Sequence, residues 1–302
     1  MKFIKTRCPI CLSLEDSEVL YPKNFEDGDL SADVYSARKM PDRIHYQIVR
    51  CNHDGMVRSD PVPEESFVNE LYKQSKFTYE QETDNLATTY MAALEPVLRH
   101  LPKEARILEV GCGNGFLLKA LFGKGYVNVC GVEPSLEAVA KSDRLIRDKI
   151  TVDVLGPETF KSSTYDLVCF FQVLEHMRDP NAFLKVCHDL LVPGGFVVAF
   201  NHDVESLQAK ILREKSPIID IGHYSLFSKR TMEKIFRRNN FSLVKMYSPW
   251  SVVSLRHIML MVTFLNGIKM KLLGGGEGLW GRFLSHRVRV QLGNLCLSAV
   301  KK

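Results

Sequence analysis

From residue 106 onward the chain alternates short apolar runs with amphipathic stretches. The runs at 107–110, 127–132, 150–154, 165–171, 196–200, 241–247 and 294–300 have the lengths of strands, and the first suits a strand buried on both faces. Helices fall between them with their start signals in place. One runs from Phe116 to about Phe122. Another begins behind Asp179, a good N-cap, with Pro180 at the first helical position. A third covers 229–238 with Ser228 as its N-cap. Strand and helix in alternation predict an α/β fold, a seven-stranded and mostly parallel sheet with helices on both faces. Upstream, Phe67, Leu71, Tyr72, Leu86, Tyr90, Leu94 and Leu98 recur at helical spacing, so 63–100 reads as a helical linker or lid. Residues 1–62 look like a small appended module, 101–302 form the main domain, and an insertion at about 248–293 separates its last two strands.

The first strand leads into Gly111, Gly113 and Gly115, with Glu109 two residues ahead. Glycines at such a turn tolerate positive φ and leave no Cβ to block a ligand. The helix behind them points unpaired N–H groups and its positive end at the same spot. A dinucleotide fingerprint needs its third glycine where Phe116 stands, so the NAD reading fails on spacing. The string E-x-G-x-G-x-G resembles the first motif of class I S-adenosylmethionine (SAM)-dependent methyltransferases; the competing reading is an ordinary tight β–α turn. Three further strings resemble the same family. Glu133 closes the second strand about twenty residues on, where a carboxylate can accept both ribose hydroxyls. Phe171-Gln172-Val173-Leu174-Glu175-His176 follows the fourth strand, and Leu191-Val192-Pro193-Gly194-Gly195 enters the fifth. The resemblance covers about 64–302. It implies a Rossmann-like sheet with SAM held by Glu109, Gly111, Cys112, Gly113, Asn114, Gly115, Glu133, Pro134, Gln172 and Glu175. It also lays Lys76-Phe77-Thr78-Tyr79 over the cofactor as a lid, although on spacing alone Phe77 and Tyr79 are equally well core aromatics.

SAM carries an activated methyl carbon, so the protein's task is to align an acceptor and exclude water. An oxygen acceptor also needs a base whose pKa lies near working pH, which suits histidine. His223, in a segment resembling the family's substrate-side loop, is the preferred catalytic candidate, with His176 and His202 beside it. For His176 a structural, hydrogen-bonding role is the commoner alternative. The expected reaction is methyl transfer to a small-molecule acceptor, such as a sugar or a secondary-metabolite precursor. The rivals are an RNA methyltransferase that grips nucleic acid with its N-terminal module, and a catalytically silent SAM-fold scaffold.

Composition narrows these further. A formal charge of +5 over 302 residues permits an anionic substrate or membrane surface without compelling nucleic acid. The basic residues are scattered and no aromatic platform pattern accompanies them, which argues against an RNA partner. The N-terminal MKFIKTRCPIC lacks the apolar stretch of a signal peptide, so a cytoplasmic location is expected. Of the eight cysteines, five fall in core-like positions, where a free thiol acts as a small apolar residue. Cys8 and Cys11 form a C-x-x-C knuckle, and Cys51-Asn52-His53-Asp54 follows some forty residues later. Tetrahedral zinc takes four ligands, usually from two knuckles. Members of the resembled family carry a second C-x-x-C here; this chain has Asp54 in the fourth position with His53 beside it. Cys8, Cys11, Cys51 and His53 are the expected zinc ligands, Asp54 is the alternative to His53, and a module that has lost its metal is the competing reading. In the insertion, the apolar run 258–265 is well short of the ~18 residues of a membrane span. It reads either as an interfacial helix making peripheral membrane contact, or, the favoured reading, as part of a substrate-capping or homodimer-forming helix pair.

Overall fold

The computed structural model describes residues 2–26, 43–64, 67, 82–261 and 284–302. The expected lid at 76–79 and the centre of the insertion, 262–283, lie outside the described residues. The N-terminal module contributes β1 (Phe3–Ile4), β2 (Ser17–Tyr21), β3 (Ile48–Cys51), β4 (Val57–Ser59) and β5 (Val62–Pro63). Helix α1 (Thr83–Leu98) leads into β6 (Ile107–Val110), α2 (Phe116–Gly123), β7 (Val129–Val132), α3 (Leu136–Ala140), α4 (Arg144–Arg147), β8 (Ile150–Thr151) and β9 (Tyr165–Phe171). Then come α5 (Pro180–Leu190), β10 (Leu191–His202), α6 (Leu207–Leu212), β11 (Ser225–Leu226), α7 (Lys229–Arg238) and β12 (Phe241–Tyr247). The chain closes with β13 (Ser251–Ser254), α8 (Leu255–Met261), β14 (Arg287–Val290) and β15 (Asn294–Lys301).

Seven strands make the main sheet in the order β12-β15-β10-β9-β6-β7-β8. Every neighbouring pair from β10 to β8 is parallel, and β15 runs antiparallel to both β10 and β12. Alternating residues of the central strands feed two cores. Leu108, Val110, Val168, Phe170, Val197 and Ala199 pack with Leu184 and Phe236 on one face. Ile107, Leu167, Cys169, Val198 and Phe200 pack with Leu94, Leu117 and Leu121 on the other. With each such side chain worth about 1.5–3 kcal/mol on burial, the β6–β9–β10 centre carries much of the stabilisation among the described residues. Chain order reverses between β6 and β9, and ligands of open α/β sheets lodge at the carboxyl ends of the strands at that switch.

The sheet matches the sequence reading in strand number and sense, and differs at its edges. β8 holds only two residues, because Val152 and Val154 stand exposed at the sheet margin. β10 begins earlier than expected, at Leu191, and the Pro193-Gly194-Gly195 corner is absorbed as a register shift between Leu191 and Phe196.

The N-terminal module is less separate than its composition suggests. β11, from the main domain, pairs antiparallel with β4, giving a four-stranded sheet β11-β4-β3-β2. Ser59 reinforces the seam, its amide donating to Tyr224 O at 3.0 Å and its hydroxyl to His223 O at 2.9 Å. The described ends of the insertion form an antiparallel pair, β13 with β14, and the helix α8; the rest of the expected helix pair lies outside the described residues. β13 lies on α1, with Val252 N donating to Thr89 Oγ1 at 2.9 Å. No described helix is long and apolar enough to cross a membrane.

Candidate functional site

Two clusters of polar groups meet at the β6–β9 switch. The first is the glycine loop. Gly111 and Gly113 sit at φ +69° and +56°, a region where an L side chain is strained. A Cβ on Gly111 would lie 2.6 Å from Val173 Cγ2, so the segment after β9 packs directly on the loop. Glu133, leaving β7, ties the loop down. Its Oε2 accepts from Gly113 N and its Oε1 from Ser135 N, each at 2.9 Å. Burial pushes its carboxyl above the ordinary glutamate value, although these two amides pull the other way. Asn114 Oδ1 is buried beside them and accepts nothing. Pro134 is partly buried between Glu133 and Ser135, whose side chain caps α3. Glu109 is 2% exposed within β6. Cys112 is 1% exposed and lies against Gly131, so it offers the loop its backbone alone, and burial pushes its thiol far up.

The second cluster hangs from the ends of β9 and β10. Gln172 holds a positive φ of +56°, pinned by its amide donating to Phe200 O at 2.6 Å. A 3-10 turn, Leu174–His176, then carries Glu175 inward. Glu175, expected at the cofactor, is 2% exposed, and its Oε1 accepts from His202 Nδ1 at 2.9 Å. That bond fixes the His202 tautomer, since Gln172 Nε2 donates to His202 Nε2 at 3.2 Å. Burial drives the Glu175 carboxyl up, but the hydrogen bond and charge of His202, with the fields of His223 and His176, hold it below the ordinary value. Its Oε2 remains buried without a hydrogen-bond partner.

The three candidate histidines gather in one cluster. His176 and His223 ring centroids are 4.8 Å apart, and those of His202 and His223 5.3 Å. His223, the preferred base from sequence, is 7% exposed and donates Nδ1–H to Ile218 O at 2.8 Å. Burial lowers it to about 4. His176 donates Nδ1–H to Gly222 O at 2.7 Å, and so clamps the loop that bears His223. His202 has 23% of its side chain exposed and the buried Glu175 carboxylate behind it, an arrangement of the kind that can orient an imidazole for proton transfer.

Two further residues complete the cluster: Asn201, expected from sequence to line the same pocket as Gln172 and His223, and Tyr90. Asn201, fully buried at the end of β10, leaves both Nδ2 and Oδ1 without partners. Tyr90, read only as a core residue of α1, stacks on Phe171 at 4.0 Å and points its hydroxyl at Gln172 Oε1, 3.5 Å away. No periodic signal marks Tyr90 as different from its helical neighbours.

The third cluster is in the N-terminal module. One ligand atom from each of Cys8, Cys11, Cys51 and Asp54 falls within 4.8 Å of the others. Cys11 and Cys51 Sγ are 3.6 Å apart, and Cys8 Sγ lies 3.2 Å from Asp54 Oδ2. A tetrahedral site with 2.3 Å bonds needs ligands about 3.8 Å apart, so this set could hold zinc with little movement. His53 does not join them. It is largely exposed and turned to Asp16, Nε2 to Oδ2 at 2.7 Å, because Gly55 turns the backbone and the N–H of Met56 fixes Asp54 inward.

The sequence matches the methyltransferase-domain family over residues 80–246, and the chain belongs to it, as a class I SAM-dependent methyltransferase. Among curated relatives, an uncharacterized methyltransferase of Schizosaccharomyces pombe is 32% identical over 49% of this chain and 56% of its own length. A ubiquinone biosynthesis O-methyltransferase of Burkholderia ambifaria is 34% identical over 30% of this chain and 42% of its own. The chain thus spans about half the length of the curated relatives it matches. The fold resembles a candidate methyltransferase from Bacillus halodurans (TM-score 0.50, 15% identity, 70% of this chain and 98% of that one). It resembles the YcgJ protein of Bacillus subtilis equally (0.50, 14%, with 70% and 98%).

His223 gives the site a pH signature. Its neighbours are His176, Asp220, His202 and Glu175. Above pH 6.5 it is neutral folded and unfolded; between 6.5 and about 4 only the unfolded chain takes up its proton. Stability therefore falls with pH across that window, by about 3 kcal/mol in full. Urea unfolding of wild type and His223→Asn from pH 4 to 7.5 should show the slope in the former and its loss in the latter; parallel curves would contradict the burial argument.

Proposed function

We propose that the chain transfers the SAM methyl group to a hydroxyl of a small-molecule acceptor, with His202 as the general base. The observation that carries this reading is the Glu175–His202 pair, a buried carboxylate fixing one imidazole tautomer beside the glycine-loop crevice. The crevice residues fit SAM: a loop with no Cβ in the way, a carboxylate suited to ribose hydroxyls, and the unpaired buried oxygen of Asn114. SAM supplies the activated methyl carbon when bound. The chain's own groups do the rest. Gln172, whose amide now holds His202 Nε2, yields that lone pair to the acceptor hydroxyl. His202 takes the proton, and Glu175 stabilises the imidazolium without itself being protonated. Asn201 offers both a donor and an acceptor to orient the acceptor, and His176 and His223 hold the loop that covers it. The Burkholderia relative named for O-methylation agrees with an oxygen acceptor. Zinc in the N-terminal module, held by Cys8, Cys11, Cys51 and Asp54, stiffens the β3–β4 turn that supports β11 and so the histidine loop.

Gly113→Val and Glu133→Ala should each weaken SAM binding at least tenfold by calorimetry; wild-type affinity in both would remove SAM from this crevice. With the best acceptor from a panel of phenols, catechols and sugars, His202→Gln and Glu175→Gln should lower kcat by about 10²–10⁴-fold while SAM affinity holds. A kcat within threefold of wild type would exclude the base role, and SAM binding with no turnover on any acceptor would favour a silent scaffold. Elemental analysis should find one zinc per chain, lost in Asp54→Ala and kept in His53→Ala; the reverse pattern would overturn the ligand assignment.

A further inference from the structure

A cleft of about 360 Å³ lies between the N-terminal sheet and the segment that follows α6, away from the β6–β9 crevice. Its floor is apolar, built from Leu20, Val57, Ile218 and Ile219, part of a hydrophobic cluster between the sheet and that segment. Its rim is cationic: Arg50, Lys210 and Arg213. Arg50 is committed to Glu18 at 3.1 Å, whereas no described ion pair uses Lys210 or Arg213. The lining also includes Ser216, 3% exposed, whose hydroxyl is buried without a hydrogen-bond partner. An apolar floor, a few convergent polar groups and a volume in this range are the marks of a small-molecule site. The unused cations and the orphaned hydroxyl select for negative charge at one end of the guest.

We infer that this cleft is a second binding site, for a small anionic amphiphile with its apolar body on the Ile218–Ile219 floor and its carboxylate or phosphate between Lys210, Arg213 and Ser216. The cleft shares a wall with the histidine cluster, because Ile218 O holds His223 Nδ1. A guest that presses on Ile218 therefore acts on the loop carrying His223 without entering the crevice. The inference stands apart from the methyl-transfer reading, since it is tested by direct binding in the absence of SAM.

The test is calorimetric titration of the full chain with decanoate, decyl phosphate, decanol and inorganic phosphate. Decanoate or decyl phosphate should bind saturably at one site per chain, and whichever binds tighter identifies the headgroup. Decanol and inorganic phosphate should each bind at least tenfold more weakly. The doubly substituted Lys210→Gln/Arg213→Gln chain, altered only at exposed side chains, should lose at least tenfold in affinity for the anionic probes, and Ser216→Val a smaller factor. Thermal unfolding of the variants at the wild-type temperature would certify their folds. Saturable binding by neither amphiphile, equal binding of phosphate alone, or unchanged affinity in the double variant would overturn the proposal.

Discussion

The carboxylate of Glu133 bridges two backbone amides, Gly113 N on the glycine loop and Ser135 N at the start of α3. Neither amide has a helical partner at that point in the chain, and both face the end of the parallel sheet, where an unpaired N–H would otherwise cost roughly 1–3 kcal/mol. One side chain thus fixes the distance between the ends of β6 and β7. The glycines are the other half of the same constraint. With Val173 packed against Gly111, the loop has no room for a side chain, and the space it leaves is shaped from backbone.

What was legible in the sequence follows from how local each signal is. The strands of the main sheet, the Asp179-Pro180 start of α5 and the Ser228 cap of α7 depend on neighbours within a few residues, and they form where their patterns place them. The glycine loop and Glu133 were readable because their spacing is set by one strand–helix–strand unit. The hydrogen-bond partners of the histidines were not. That His202 meets a carboxylate while His223 meets a carbonyl follows from Glu175 turning inward at the 3-10 turn and β10 carrying His202 to it across 27 residues of chain. Motif resemblance placed Glu175 among the cofactor residues, and local sequence carries no sign of its hydrogen bond to His202. The choice between His53 and Asp54 was likewise invisible, because it depends on whether the turn before Gly55 sends one residue or the next inward.

The N-terminal module and the main domain are joined through function-bearing backbone. β11 is an edge strand of the module's sheet, and the residues just ahead of it, Asp220 to Tyr224, present His223 and the carbonyl that holds His176. The turn that carries the cysteine cluster, β4 and the histidine loop are thus linked in series through one hydrogen-bonded sheet. A sequence reading that divides the chain at residue 62 separates parts that the hydrogen bonds of Ser59 unite. The cleft with Ser216 at its edge lies along the same seam, so the segment 216–223 faces an apolar pocket on one side and the polar cluster on the other.

The most direct test of this account is a crystal structure of the chain soaked with S-adenosylhomocysteine. The account predicts both ribose hydroxyls within hydrogen-bond distance of Glu133, the amino-acid tail over Gly111–Gly113, and the sulfur on the side of Gln172 and His202. A nucleoside bound elsewhere, or density for a protein side chain filling the loop between Gly113 and Glu133, would contradict it.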